Sequence, residues 1–285
     1  MSSDVADRRV AFVLGGGGVL GAHEVGMIRA LIERNVVPDL VLGTSIGALN
    51  GAAVAAGPIP EMVDGLEAVW LRLASTGILG GSVVSRAVRL ARTGTHLHSA
   101  EPLRRMLEMF LPPRIEDLPV RFQCVAASVE RAAEHWFAEG PLADAVLSSC
   151  ALPGLLPMVR IGDEHFLDGG LVNSIPLGRA VALGATEIFV LHVGRIEQPL
   201  SPPRTPWGVA LTAFEIARRH RFAHDLGAVP EDATVHVLPT GARPGKPLRV
   251  REQLRYRDLS SVRERMARAY DATSAYLDRL ERGTA

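Results

Sequence analysis

Three times along the chain a short strand-like run stops abruptly at glycine: VAFVL at GGGG, LVL at GTSIG, and EHFLD at GG. The first junction is followed by Val25, Ile28, Leu31 and Ile32 at helical spacing. The second opens GALNGAAVAAG, a run of small residues that can lie close against a sheet. Strand, glycine turn and helix repeated in this way specify parallel strands joined by crossover helices, because each strand must bury both faces. The predicted fold class is therefore α/β, an open, mostly parallel sheet sandwiched between helices. Further helices are expected over 60–74, 99–111 with Ser99 as N-cap, 141–154, up to Gly184, up to about Asp225, and from Asp258 to about Arg282. Strands are expected at VRFQCVAASVE, paired as a hairpin with AEHWFA across Arg131 and Ala132, and at TEIFVLHVG and ATVHVLP. The Gly-broken stretch between 76 and 98 reads as irregular, a lid or gate.

The chain has 285 residues and no Pro/Ser/Gly-rich linker dividing its periodic segments, which predicts one domain over 1–285 with a core at 10–186 and a C-terminal strand and helices at 187–282. Hydrophobic residues make up 47% and aromatic ones only 5%, so the core is aliphatic. The 31 basic and 31 acidic residues cancel, leaving no electrostatic footprint for nucleic acid. Cys124 and Cys150 lie in apolar surroundings without metal-ligand spacing and read as buried, inert thiols. The polar start MSSDVADRRV lacks the apolar segment of a signal peptide, and no apolar run reaches membrane-spanning length, so the expected location is cytoplasmic.

Gly16-x-Gly18-x-x-Gly21 fits a dinucleotide fingerprint, but that site needs an acidic residue at the end of the second strand. Here the strand ends in VLGTSIG, and Asp39 precedes it at the wrong edge. Consecutive glycines at a helix start also present N–H groups to developing negative charge, which makes Gly16, Gly17 and Gly18 a candidate oxyanion hole. Ser45, bracketed by Gly43 and Gly47 at the second strand end, fits a nucleophile elbow. An N-cap serine would start a helix equally well but leaves the two glycines unexplained. Parallel neighbours bring both strand ends to one edge of the sheet. The base is less legible. His192 and His236 fall in aliphatic strands, His220 and His224 on a charged helix, and His96, His98 and His135 lack an orienting acid. His165 is the nearest candidate, three residues before Asp168, which closes the third junction.

Set in order, GGGGVLG, GTSIG and DGG, with SSCALPGLLP and FLDGGLVNSIP around them, resemble the patatin-like phospholipase family from Val10 to about Thr186. The resemblance implies a three-layer α/β/α fold and a serine esterase or lipid acyl hydrolase, of phospholipase A or lysophospholipase type, in which Ser45 and Asp168 form a dyad without histidine. It implies no cofactor and no metal, and a lipid or other acyl ester as the partner in reaction. The family commonly carries Arg or Lys where this chain has Leu20, which predicts a bias towards neutral esters. Two other readings stay open: a patatin-like protein that binds lipid or a partner with little chemistry, and a histidine-triad esterase. Arg86 and Arg89 share a helical face in Val83 to Arg92, which is either a solvated helix face or a peripheral contact with the membrane.

Overall fold

The computed structural model describes residues 8–76, 83–193, 199–241 and 259–283. Eight strands, β1 (Val10–Leu14), β2 (Leu40–Thr44), β3 (Arg121–Ser128), β4 (Ala133–Phe137), β5 (Val159–Ile161), β6 (Glu164–Asp168), β7 (Glu187–Leu191) and β8 (Thr234–Val237), form one sheet. The described helices are α1 (Ala22–Ile32), α2 (Ile46–Ala56), α3 (Pro60–Thr76), α4 (Val83–Thr93), α5 (Glu101–Phe110), α6 (Leu142–Ser149), α7 (Leu177–Ala182), α8 (Pro206–Gly227) and α9 (Leu259–Glu281). Strands β3, β2, β1, β7 and β8 run parallel in that spatial order. The chain leaves β1 in one direction for β2 and β3 and returns on its other side for β7 and β8. The β1/β7 boundary is thus the switch point, where open α/β sheets leave a crevice at the strands' carboxyl ends.

Strand alternation divides the core. Phe12, Leu14, Val41, Phe189 and Leu191 pack with Ile28 of α1, Ala48 of α2, Trp70 of α3 and Ala269 of α9 on one face. Ala11, Val13, Leu42, Ile188 and Val190 meet Leu177 and Ala180 of α7 and Phe222 of α8 on the other. The period of two places successive residues on opposite faces, so both faces of these aliphatic strands need a helical layer.

The register at β3 decides where the site forms. β4 occupies one edge of β3 from Cys124 to Ser128, which leaves the other edge to β2 and β6 together. β2 takes it as far as Val125, the partner of Thr44, and β6 runs antiparallel along the rest, with Asp168 opposite Ala126. β2 and β6 therefore share one lane and meet end to end.

Several local expectations are corrected. The stretch read as irregular contains α4, whose Val88, Leu90, Arg89 and Arg92 are exposed; residues 77–82 and the Arg86 side chain lie outside the described residues. Strand β5 carries too few residues to show a period. Helix α5 begins at Glu101 after Ala100, although the Ser99 hydroxyl still accepts the Glu101 N–H at 3.2 Å. The hairpin turn falls where it was expected, with Ala132 at φ 48°.

Helix α9 crosses α1 at Gly26, where an added Cβ would run into the Met266 carbonyl and lie 2.8 Å from the Tyr270 nitrogen. Gly26→Val is expected to destabilise the protein by about 1–3 kcal/mol or more. Gly65→Ala, at a helical glycine with open space around it, should stabilise by about 0.5–1 kcal/mol. Urea midpoints read both, and a neutral Gly26→Val would show that the two helices can separate freely.

Candidate active site

The turn from β2 into α2 puts Ser45 at φ 54°, ψ −124°, a conformation that a residue with a Cβ adopts only when its surroundings force it. The restraints are identifiable. The Ser45 N–H donates to Ser149 Oγ at 2.8 Å, and that hydroxyl donates to the Val125 carbonyl at 2.6 Å. The Ser45 carbonyl accepts from Ala48 N–H at 2.9 Å and from the Cys150 thiol at 3.1 Å. Close approach explains the bracketing glycines: a Cβ on Gly43 would lie 2.5 Å from Ala48 Cα, and one on Gly47 would strike the Leu14 carbonyl. Sequence patterning located the elbow but missed Ser149, which acts from another helix.

Asp168 arrives from the opposite direction in the same lane. The Ser45 hydroxyl donates to its Oδ2 at 2.5 Å, and Gly170 N–H donates to its Oδ1 at 2.7 Å. Asp168 is only 2% exposed, and this burial pushes its pKa up from 3.8 to about 6, against the two hydrogen bonds that favour the charged form. His165 is elsewhere, its ring paired with Glu130 at 2.7 Å on the surface. No histidine is among the described residues that line the cleft around Ser45.

The loop after β1 closes a third side. Gly15 N–H donates to the Leu191 carbonyl at 3.0 Å and Gly16 N–H to the Ser174 carbonyl at 2.9 Å, so the Gly16 donor is already engaged. Among the described residues the N–H groups of Gly17 and Gly18 have no acceptor, and both glycines line the cleft. Beneath the loop, Asn50 donates to Gly21 O at 3.1 Å and to Glu24 Oε2 at 2.7 Å while accepting Trp70 Nε1–H at 2.9 Å. This buried set ties the glycine loop to the elbow helix, and burial raises the Glu24 pKa well above the usual range. Leu20 is 3% exposed and does not line the cleft. The expectation that it meets substrate is thereby corrected: its side chain belongs to the core, and Leu20 gives no ground for a bias towards neutral esters. Asp39 accepts the Val10 N–H at 2.8 Å at the far edge of the sheet, remote from the loop.

The cleft is a cavity of about 100 Å³ that opens to solvent. Ile46, Leu49, Leu103, Leu152, Leu155 and Leu156 give it a largely apolar lining, to which α8 adds Phe214, Glu215 and Arg218. Arg218 donates through Nη1 to the Gly16 carbonyl at 2.8 Å. No local motif marks this arginine, 202 positions from its partner. A signal was nonetheless present: Phe214, Arg218 and Phe222 recur at four-residue spacing, placing a charge within an apolar helix stripe.

The profile of the Patatin family, described as patatin-like phospholipase, matches residues 12–181, which excludes α8 and α9. Lysophospholipase nte1 of Aspergillus terreus is 32% identical over 73% of this chain and 13% of its own length. Patatin-like phospholipase domain-containing protein ZK370.4 of Caenorhabditis elegans is 33% identical over 66% of this chain and 14% of its own. The chain thus spans about an eighth to a seventh of these relatives, 13% and 14%. Among solved structures, VipD of Legionella pneumophila covers 95% of this chain at 14% identity and a TM-score of 0.43, the alignment spanning 67% of VipD.

A Cβ on Gly17 would overlap the Val193 side chain, so the loop cannot stay in place when one is added. Gly17→Ala is expected to lower kcat for ester hydrolysis about 10²-fold, the scale of one lost oxyanion donor. Adding Val193→Ala should recover much of that loss. Wild-type turnover in Gly17→Ala would show that the loop only packs the core.

Proposed function

The chain belongs to the patatin-like phospholipase family, and on that premise we propose that it is a lipid acyl hydrolase acting through Ser45 and Asp168. The observation that carries the proposal is the 2.5 Å hydrogen bond from a strained serine hydroxyl to a buried carboxylate, beside two backbone N–H groups without acceptors. Asp168 accepts the Ser45 proton as Oγ attacks the ester carbonyl, and the N–H groups of Gly17 and Gly18 hold the resulting oxyanion. Collapse of the intermediate expels the alcohol, which takes the proton back from Asp168. Water then adds to the acyl-enzyme with Asp168 again as base, and Ser45 is released with the carboxylic acid. The apolar lining suits the acyl chain.

A carboxylate with its ordinary pKa near 4 is a poor base for a hydroxyl. Burial of Asp168, which lifts its pKa to about 6, narrows the mismatch. The same shift has a stability consequence. Between its unfolded value of 3.8 and about 6, Asp168 holds its proton in the folded state but not in the unfolded one, so this contribution to stability is full below pH 3.8, is lost as pH rises to about 6, and is constant above that. The amount is about 3 kcal/mol for a shift of this size.

Ser45→Ala should remain folded and lose both ester hydrolysis and labelling by a fluorophosphonate probe; labelling at the wild-type rate would remove Ser45 from the reaction. Asp168→Asn should lose comparable activity yet, having no charge to bury, unfold at or above the wild-type denaturant midpoint at pH 8. The wild-type kcat/KM should fall as pH drops below about 6. Because a carboxyl ionises with little heat and imidazole does not, this limb should hardly move with temperature. A strongly temperature-dependent limb, or a histidine variant as inactive as Ser45→Ala, would replace the dyad by a triad.

Contact with a lipid surface is a further part of the proposal and rests on α4, where Val88 and Leu90 are exposed beside Arg89 and Arg92. Arg89→Glu/Arg92→Glu is expected to weaken sedimentation with anionic vesicles and to leave hydrolysis of a soluble short-chain ester unchanged. Equal sedimentation of both proteins would show that α4 is a solvated face.

A further inference from the structure

Among the described residues Arg218 is the arginine that lines the cleft. Its side chain is 3% exposed, Nη1 is bonded to the Gly16 carbonyl at 2.8 Å, and Nε stands 3.1 Å from Glu215 Oε2. Nη2 is fully buried and has no hydrogen-bond partner among the described residues. Burying a guanidinium is tolerable only when its donors are satisfied, and an open Nη2 leaves a desolvated donor in need of an acceptor. Nor does Glu215 neutralise it alone: the same carboxylate takes Arg219 Nε at 2.8 Å on its other oxygen. The charged side chains lining the cleft are Arg218, Glu215 and Asp168, and Asp168 is committed to Ser45 and Gly170.

We propose that Arg218 is the head-group receptor of this cleft, its guanidinium taking an anionic oxygen of a glycerophospholipid phosphate while Ser45 faces the acyl ester. The proposal deepens the acyl-hydrolase reading and rests on it for the orientation of substrate. Position supports the assignment. The Gly16 carbonyl held by Arg218 belongs to the residue whose Cβ, were it present, would lie 3.3 Å from Ser45 Cβ. A guanidinium one residue away from the reacting centre matches the short glycerol spacing between an acyl ester and a phosphate. A planar fork of donors also suits phosphate oxygens and hydrates weakly, so transfer from water to ligand is less costly than for an ammonium. The arginine comes from α8, outside the residues that match the family profile, so head-group choice is carried by a part of the chain distinct from the elbow and the loop.

The test is direct binding, which needs no chemistry. Calorimetry on the wild type should show a non-hydrolysable ether lipid, 1-O-decylglycero-3-phosphate, binding on the order of ten-fold or more tighter than 1-O-decylglycerol, the yield of one charge-assisted hydrogen bond. Arg218→Met should abolish that ratio and Arg218→Lys should keep part of it. Glu215→Gln, which releases the guanidinium from its competing carboxylate, should widen the ratio and provides an arm of opposite sign should Arg218→Met fail to fold. Equal affinities in the wild type, or a ratio that survives Arg218→Met unchanged, overturns the proposal. So does a uniform loss for both lipids, which would make Arg218 a positioning residue for Gly16 only. Inorganic phosphate binding as tightly as the ether lipid phosphate would mark a free-phosphate site and overturn the head-group assignment. If Ser45→Ala still hydrolyses esters while the binding ratio holds, the dyad fails and the head-group site stands.

Discussion

The carboxylate of Asp168 is held out of water with two donors on its side-chain oxygens among the described residues, the Ser45 hydroxyl and the Gly170 N–H. A buried charge so thinly compensated destabilises the folded state at neutral pH, and the raised pKa measures that penalty. The rest of the site can be understood as the apparatus that keeps this pair in place. Thr44, the residue before the elbow, donates its hydroxyl to the Asn173 carbonyl at 2.8 Å, so the strand that ends in Ser45 is bound to the loop that follows Asp168. The Asp168 N–H donates to the Ala151 carbonyl at 3.0 Å, fixing the acid to the segment that also supplies Ser149 and Cys150.

Strain at Ser45 and burial at Asp168 are coupled through these contacts. A serine at positive φ relaxes unless both its N–H and its carbonyl are held, and they are held by α6 and its C-terminal cysteine. The Cys150 thiol, raised in pKa by burial and by the nearby Asp168 charge, stays protonated and serves as a donor. Cys124 is likewise kept as a thiol by burial. Two cysteines that lack any redox or metal pattern thus have roles of different kinds, one in the core and one against the Ser45 backbone.

The region beyond the family match closes the molecule over this apparatus. Helix α9 covers α1 through the glycine crossing at Gly26, and α8 brings Phe214 against Gly170 and Arg218 against Gly16. Both glycine turns that flank Ser45 and Asp168 are therefore touched by one helix from the C-terminal part. A shift of α8 would move the Gly16–Gly18 loop and the loop after Asp168 together.

By itself the sequence determined the strand-glycine-helix units, the two-layer alternation of the parallel strands, the elbow at Ser45 and the Gly16–Gly18 loop, because each follows from local spacing and local sterics. Asp168 was legible as an acid at a strand end, but its strand was not legible as antiparallel, since a five-residue strand carries no signal of its direction. Only the tertiary structure decided that β6 enters the lane of β2 and stops opposite Ala126, one step past the partner of Thr44. It also decided that Gly16 donates to Ser174 while Gly17 and Gly18 stay open, that Leu20 turns into the core, and that Arg218 reaches the loop from α8. The physical reason is common to all of these. Local patterns fix which face a residue presents along its own element, whereas hydrogen-bond partners and desolvation are set by elements distant in sequence, whose register and approach no local period encodes.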